Sequence, residues 1–172
     1  MPERPILLTG FMGCGKSSVG LALAGLLGCR MVDLDSVIVE EAGRSINEIF
    51  SVDGEAAFRV IESDCLKKIL HSGFAVVSTG GGVVIADKNR YEMRKFGRVV
   101  NLTASLPVIL DRLKGATDRP LYSGEDAAEQ VSALMQQREQ FYAEADIRID
   151  TVGKSVEDVA AEILRVLKGL RL

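Results

Sequence analysis

Residues 6–17, ILLTGFMGCGKS, constrain this chain more than any other stretch. An apolar run enters a glycine-rich turn, and the turn opens a helix predicted from about Lys16 to Leu27. Gly10, Gly15, Lys16 and Ser17 stand at the spacing G-x-x-x-x-G-K-[ST] of a phosphate-binding loop. Glycines let the backbone take positive φ and bring N–H groups close to phosphate oxygens. The following helix directs its positive end to the same place. Lys16 supplies a charge for the outer phosphates, and Ser17 a hydroxyl ligand for a magnesium ion shared with them. Gly13, Cys14, Gly15 and Ser18 complete the nucleotide-binding set. The motif predicts nucleotide binding and leaves open whether the phosphate goes to water, to a protein or to a metabolite.

The rest of the chain narrows the class. At 172 residues and 47% hydrophobic, it suits one domain spanning residues 1–172. A formal net charge of −3 speaks against a general nucleic-acid binder, which carries a basic face. Cys14, Cys29 and Cys65 are odd in number and contain no C-x-x-C pair, so neither a disulfide framework nor a zinc site is indicated. Three buried apolar cysteines in a reducing cytoplasm fit better. No run of about 18 apolar residues predicts a membrane span. The expectation is an untargeted cytoplasmic monomer that works on small molecules.

Candidate strands at 5–9, 31–34, 74–78, 98–102 and 146–150 alternate with amphipathic stretches. Runs such as FAVVS and RVVNL are apolar on both faces, as strands of a covered parallel sheet are. The expected fold is therefore α/β: a five-stranded parallel doubly wound sheet with helices on both faces. Its ligands would lie outside the strand carboxyl ends, where strand order reverses.

Three further stretches carry chemistry. Asp33 and Asp35 flank Leu34 at the end of the second strand, where alternation would turn both carboxylates to the phosphate site. Asp33 is then placed to order water around magnesium, and Asp35 to hold or deprotonate an acceptor hydroxyl. The competing account makes Asp35 the cap of a helix from about Ser36 to Ala42. Residues 54–70 have helical periodicity, with Arg59 and Glu62 three apart. They form either a solvated ion pair or a fixed guanidinium fork for an anionic group. Gly80, Gly81 and Gly82 fill no core, which points to close approach of backbone to something bound, with a loose turn as the alternative. The acidic residue of a magnesium-side strand is absent there, which moves that task to Asp33.

In order, the chain shows GFMGCGKS, DLD, GEAAFRVIE, STGGG, DRPLY and QQREQFY, and this series resembles the shikimate kinases over nearly its whole length. The resemblance implies a P-loop kinase that makes ADP and shikimate 3-phosphate from ATP and shikimate, on the route to aromatic amino acids. It also implies that Asp35, Arg59, Gly81 and Arg138 contact shikimate, Gly80 and Gly82 flanking, with Phe50 and Phe58 walling the ring, where core packing is the alternative account of both. Arg119 matches the family's lid arginine at the ATP phosphates, and Arg112 its adenine-stacking arginine, with a helix-end charge as the competing account of Arg112. Residues 113–125, with glycines near both ends, suit a mobile lid that carries Arg119 and excludes water. Catalysis then falls to Asp35, Lys16 and Arg119. The nearest rival is a gluconate-type kinase on the same fold. A nucleotide-binding switch without turnover is the rival from another class, and no N-K-x-D guanine motif supports it. His71, the single histidine, receives no catalytic role.

Overall fold

A computed structural model describes residues 4–73, 76–114 and 126–169. Five strands, β1 Ile6–Thr9, β2 Met31–Asp33, β3 Val76–Ser78, β4 Arg98–Thr103 and β5 Ile147–Asp150, form one sheet in the order β2-β3-β1-β4-β5. Every pairing is parallel. The central strand β1 is buried throughout, with Leu7 and Leu8 fully inaccessible, so its run of large apolar residues meets side chains on both faces.

The described helices are α1 Lys16–Leu27, α2 Leu34–Ala42, α3 Ile46–Leu70, α4 Asp87–Phe96, α5 Leu106–Lys114, α6 Ala127–Tyr142 and α7 Val156–Gly169, with a 3-10 turn at Val83–Ile85. From β1 the chain steps outward to β2, returns through β3, and crosses to β4 on the other side. Right-handed crossovers then place α1 on one face and α3, α4 and α6 on the other. The contacts agree: α1 packs on α7, α3 on α4, and α5 on α6. Strand order reverses beside β1, and the glycine-rich turn leaves β1 at that switch point.

Two local features depart from the expected boundaries. Strand β2 ends at Asp33, and α2 begins at the next residue. The Asp33 carboxylate accepts the N–H of Asp35 at 3.0 Å and of Ser36 at 3.3 Å, which caps the helix and stops the strand. The helix expected over 54–70 starts at Ile46, where Ser45 and Glu48 form a reciprocal capping box. It is broken at Gly54, whose φ of 84° and ψ of 171° are not helical.

Candidate active site

The turn after β1 relies on glycine where the backbone requires it. Gly10, Gly13 and Gly15 take φ of 142°, 79° and 87°. A Cβ on Gly10 would also strike the Leu102 carbonyl oxygen. Lys16 is largely buried, and its Nζ donates to the Gly10 and Phe11 carbonyls at 2.8 and 2.9 Å. The ammonium therefore stands over the start of the turn. Cys14 is buried in the core, where burial pushes its thiol pKa up, and its N–H donates to Phe11 O at 3.2 Å. Ser17 and Ser18 at the opening of α1 are exposed. Arg112, in the last turn of α5, donates to Gly13 O at 2.8 Å, which ties that helix to the turn.

Beside the turn lies a cluster of oxygens. Ser17 Oγ donates to Asp33 Oδ2 at 2.9 Å and lies 3.3 Å from Ser78 Oγ. No group of three or more His, Cys, Asp or Glu side chains able to hold a metal occurs among the described residues. A magnesium ion does not need one. It keeps several waters and takes one or two hard protein oxygens together with phosphate oxygens, and Ser17 with Asp33 is such a donor set.

The second half of the site gathers around the three glycines after β3. Asp35 is not on a strand as alternation implied, nor is it the cap, since Asp33 has that task. It sits in the first turn of α2. Its Oδ1 stands 2.9 Å from the position of a Cβ on Gly80, and Glu62 Oε1 stands 3.1 Å from the same point. Glu62 is fully buried, so the reading of a solvated pair fails, because the glycine loop and α2 cover this face of α3. Glu62 Oε2 accepts from Arg59 Nη1 at 2.8 Å, and Glu55 Oε1 accepts from Arg59 Nη2 at 3.1 Å, so the guanidinium is held from two sides.

A Cβ on Gly82 would overlap the Arg59 guanidinium, and one on Gly81 would lie 3.6 Å from Arg138 Nη1. What approaches these glycines so closely is the chain's own side chains. None of the three takes positive φ, so the requirement is for space. Arg138, on α6, is nearly buried with its guanidinium 5.9 Å from the Phe11 ring centroid. Burial raises the Glu62 carboxyl pKa; Arg59 opposes that shift, Asp35 adds to it and Arg138 opposes it. Among the described residues, two buried polar atoms, Glu62 Oε1 and Arg138 Nε, meet no hydrogen-bond partner, which leaves them available to a ligand or water.

The Phe50 and Phe58 rings meet at a tilt of 37° with centroids 4.6 Å apart, the first partly exposed and the second buried. His71 is exposed against Phe96, away from these groups. Arg119 and most of the expected lid at 113–125 lie outside the described residues. Sequence reasoning gave Tyr142 no role, yet its hydroxyl donates to Gly81 O at 2.5 Å. Its place four residues after Arg138, on the same helix face, was the available signal.

A family model described as shikimate kinase matches residues 12–168. The chain belongs to the shikimate kinase family. It is 54% identical over 166 residues to a shikimate kinase of Geobacter metallireducens, covering 96% of this chain and 93% of the relative. To the shikimate kinase of Geobacter sulfurreducens it is 56% identical over 160 residues, covering 93% and 88%. The solved shikimate kinase from Acinetobacter baumannii in complex with shikimate superposes with a TM-score of 0.92 at 33% identity, covering 98% of this chain and 95% of that one. Membership carries the kinase class with ATP as co-substrate, and the motifs quoted above fall within the matched span apart from Gly10 and Phe11 at the start of the first.

Proposed function

We propose that this chain transfers the terminal phosphoryl group of ATP to a hydroxyl of shikimate, giving shikimate 3-phosphate for aromatic amino acid synthesis. The observation that carries the reading is the acceptor pocket facing the phosphate loop. Two guanidinium groups, Arg59 and Arg138, and the Asp35 carboxylate converge on three glycines. Shikimate matches this set, with one carboxylate for arginine forks and three hydroxyls for Asp35 and the backbone. Relatives more than half identical are named for the same activity. A gluconate-type acceptor also has a carboxylate and hydroxyls, so the arginines alone do not choose; GEAAFRVIE and STGGG favour shikimate.

In the proposed mechanism the chain mainly positions groups and neutralises charge. Lys16 leaves its carbonyl partners for phosphate oxygens, while the turn around Gly13 to Ser18 encloses the phosphates. Arg59 and Arg138 bind the shikimate carboxylate and fix the ring. Asp35 takes the proton of the attacking hydroxyl. Arg119 is assigned to the transferring phosphoryl group, and Arg112 to the nucleotide near Gly13. Ser17 and Asp33 would hold magnesium, which supplies charge neutralisation at the phosphates. The proposal has the chain acting as a cytoplasmic monomer.

The test is Asp35→Asn. With Asp33 as the helix cap, asparagine at 35 should leave the thermal midpoint near that of the wild type. Loss of a general base should lower kcat about 10²- to 10⁴-fold with ATP affinity unchanged. Normal turnover in the folded variant would remove Asp35 from proton transfer.

A further inference from the structure

We infer that Tyr142, backed by Arg90, positions the three-glycine loop and with it the acceptor pocket; this rests on the function proposed above. Every carbonyl from Gly80 to Ile85 accepts a hydrogen bond inside the protein. Gly80 O and Gly82 O receive the N–H groups of Val83 and Ile85 at 3.2 and 3.1 Å. Gly81 O receives the Tyr142 hydroxyl at 2.5 Å, and Val83 O the Asn89 side-chain amide at 3.0 Å. Val84 O and Ile85 O both receive Arg90 Nη1, at 2.7 and 3.1 Å. A segment that packs no side chain at three consecutive positions is thus held from outside, by one residue of α6 and two of α4.

Tyr142 occupies the critical place in this arrangement. The Gly81–Gly82 peptide is trans, so turning its carbonyl toward Tyr142 turns the Gly82 N–H to the opposite side. Gly82 is also the residue against which the Arg59 guanidinium rests. One turn earlier on α6, Arg138 faces Gly81. A single hydroxyl therefore fixes the loop relative to the helix that carries one arginine and the contact that seats the other. Tyr142 is only 5% exposed, and burial pushes its phenol up to about 12, so it remains a donor across the working pH range. Arg90 braces the same joint, since its Nε donates to Glu144 at 3.0 Å and its guanidinium lies 4.6 Å from the Phe141 ring centroid.

The experiment uses the full chain as wild type, Tyr142→Phe and Arg90→Lys. Rates are measured against shikimate and ATP in turn, with shikimate binding by calorimetry and a thermal melt of each protein. Tyr142→Phe removes one oxygen and leaves Gly81 O unmet, so the shikimate KM and Kd should rise on the order of tenfold while the ATP KM stays put. Arg90→Lys should shift the same ratio in the same direction. A lower melting point with an unchanged shikimate KM, or equal weakening of both substrates, would make these residues structural only and overturn the inference. Should Tyr142→Phe not fold, Arg90→Lys decides alone, with the same two outcomes. A wild-type chain inactive on shikimate overturns the proposed function, and the inference with it, before any variant is compared.

Discussion

Replacing Gly82 by alanine should displace Arg59 without disturbing the fold. At φ −101° and ψ 0°, Gly82 occupies backbone space open to any L-residue, so the change itself carries no strain. Restricting the unfolded chain would even add about 0.4–1 kcal/mol of stability. The new methyl, however, would lie 2.6 Å from Arg59 Cζ. Carbon atoms in contact prefer about 3.5–4.0 Å, so the guanidinium must retreat by about 1 Å. It is the far end of a flexible side chain, and the retreat loosens its bonds to Glu62 at 2.8 Å and to Glu55 at 3.1 Å. A displacement of about 1 Å in a positioning group can reduce rate about 10²-fold. The shikimate KM should therefore rise, and kcat/KM for shikimate fall by roughly that factor. The ATP KM should hold, and the melting point should stay within about 4 °C of wild type. Initial rates with each substrate varied, together with a thermal melt, read all four quantities. An unchanged shikimate KM in a stable Gly82→Ala protein would refute the argument that Arg59 works from its seat on this glycine.

Arg138→Lys keeps the charge but loses the planar fork, so separate titrations should find shikimate binding weakened much more than ATP binding. Equal weakening of both ligands would place Arg138 outside the acceptor pocket. Glu62 predicts a pH effect. Its folded pKa lies above the ordinary 4.5, so the native state keeps a proton that the unfolded chain has released. Stability should consequently fall as pH rises through that window. Shikimate affinity should run the other way, weakening as pH falls into the window and Glu62 loses its charge on Arg59. Glu62→Gln should abolish both pH dependences, and profiles identical to wild type would assign them to another group.

The phosphate loop and the sheet were legible because each rests on local rules. The helix expected from Lys16 to Leu27 is α1 to the residue, since a glycine turn opens it and Gly28, at φ 61°, closes it. The covered strands declared themselves as continuous apolar runs. The acceptor side was harder. D-L-D reads equally well as strand alternation or as a helix cap, and only the hydrogen bonds that the Asp35 and Ser36 amides donate to Asp33 decide that the helix begins at Leu34. Spacing on a helix pairs Arg59 with Glu62 but does not say what covers them, so burial of Glu62 was out of reach. The missing side chains at Gly80 to Gly82 were expected to bring the backbone close to something bound, and what they make room for is the chain's own side chains. That the room serves Asp35, Glu62 and Arg59 depends on contacts far apart in sequence. Ser45 and Glu48 are a different case, because S-x-x-E was a readable start for α3.

The central claim is that the pocket made by Arg59, Arg138, Asp35 and the three glycines selects shikimate as phosphoryl acceptor. The most direct measurement is ADP release from ATP by the purified chain with shikimate, with gluconate, and with no acceptor. The account predicts rapid release with shikimate, matched mole for mole by a phosphorylated product, and only a trace with gluconate or without acceptor. Release that is equal in all three, or faster with gluconate, would contradict it.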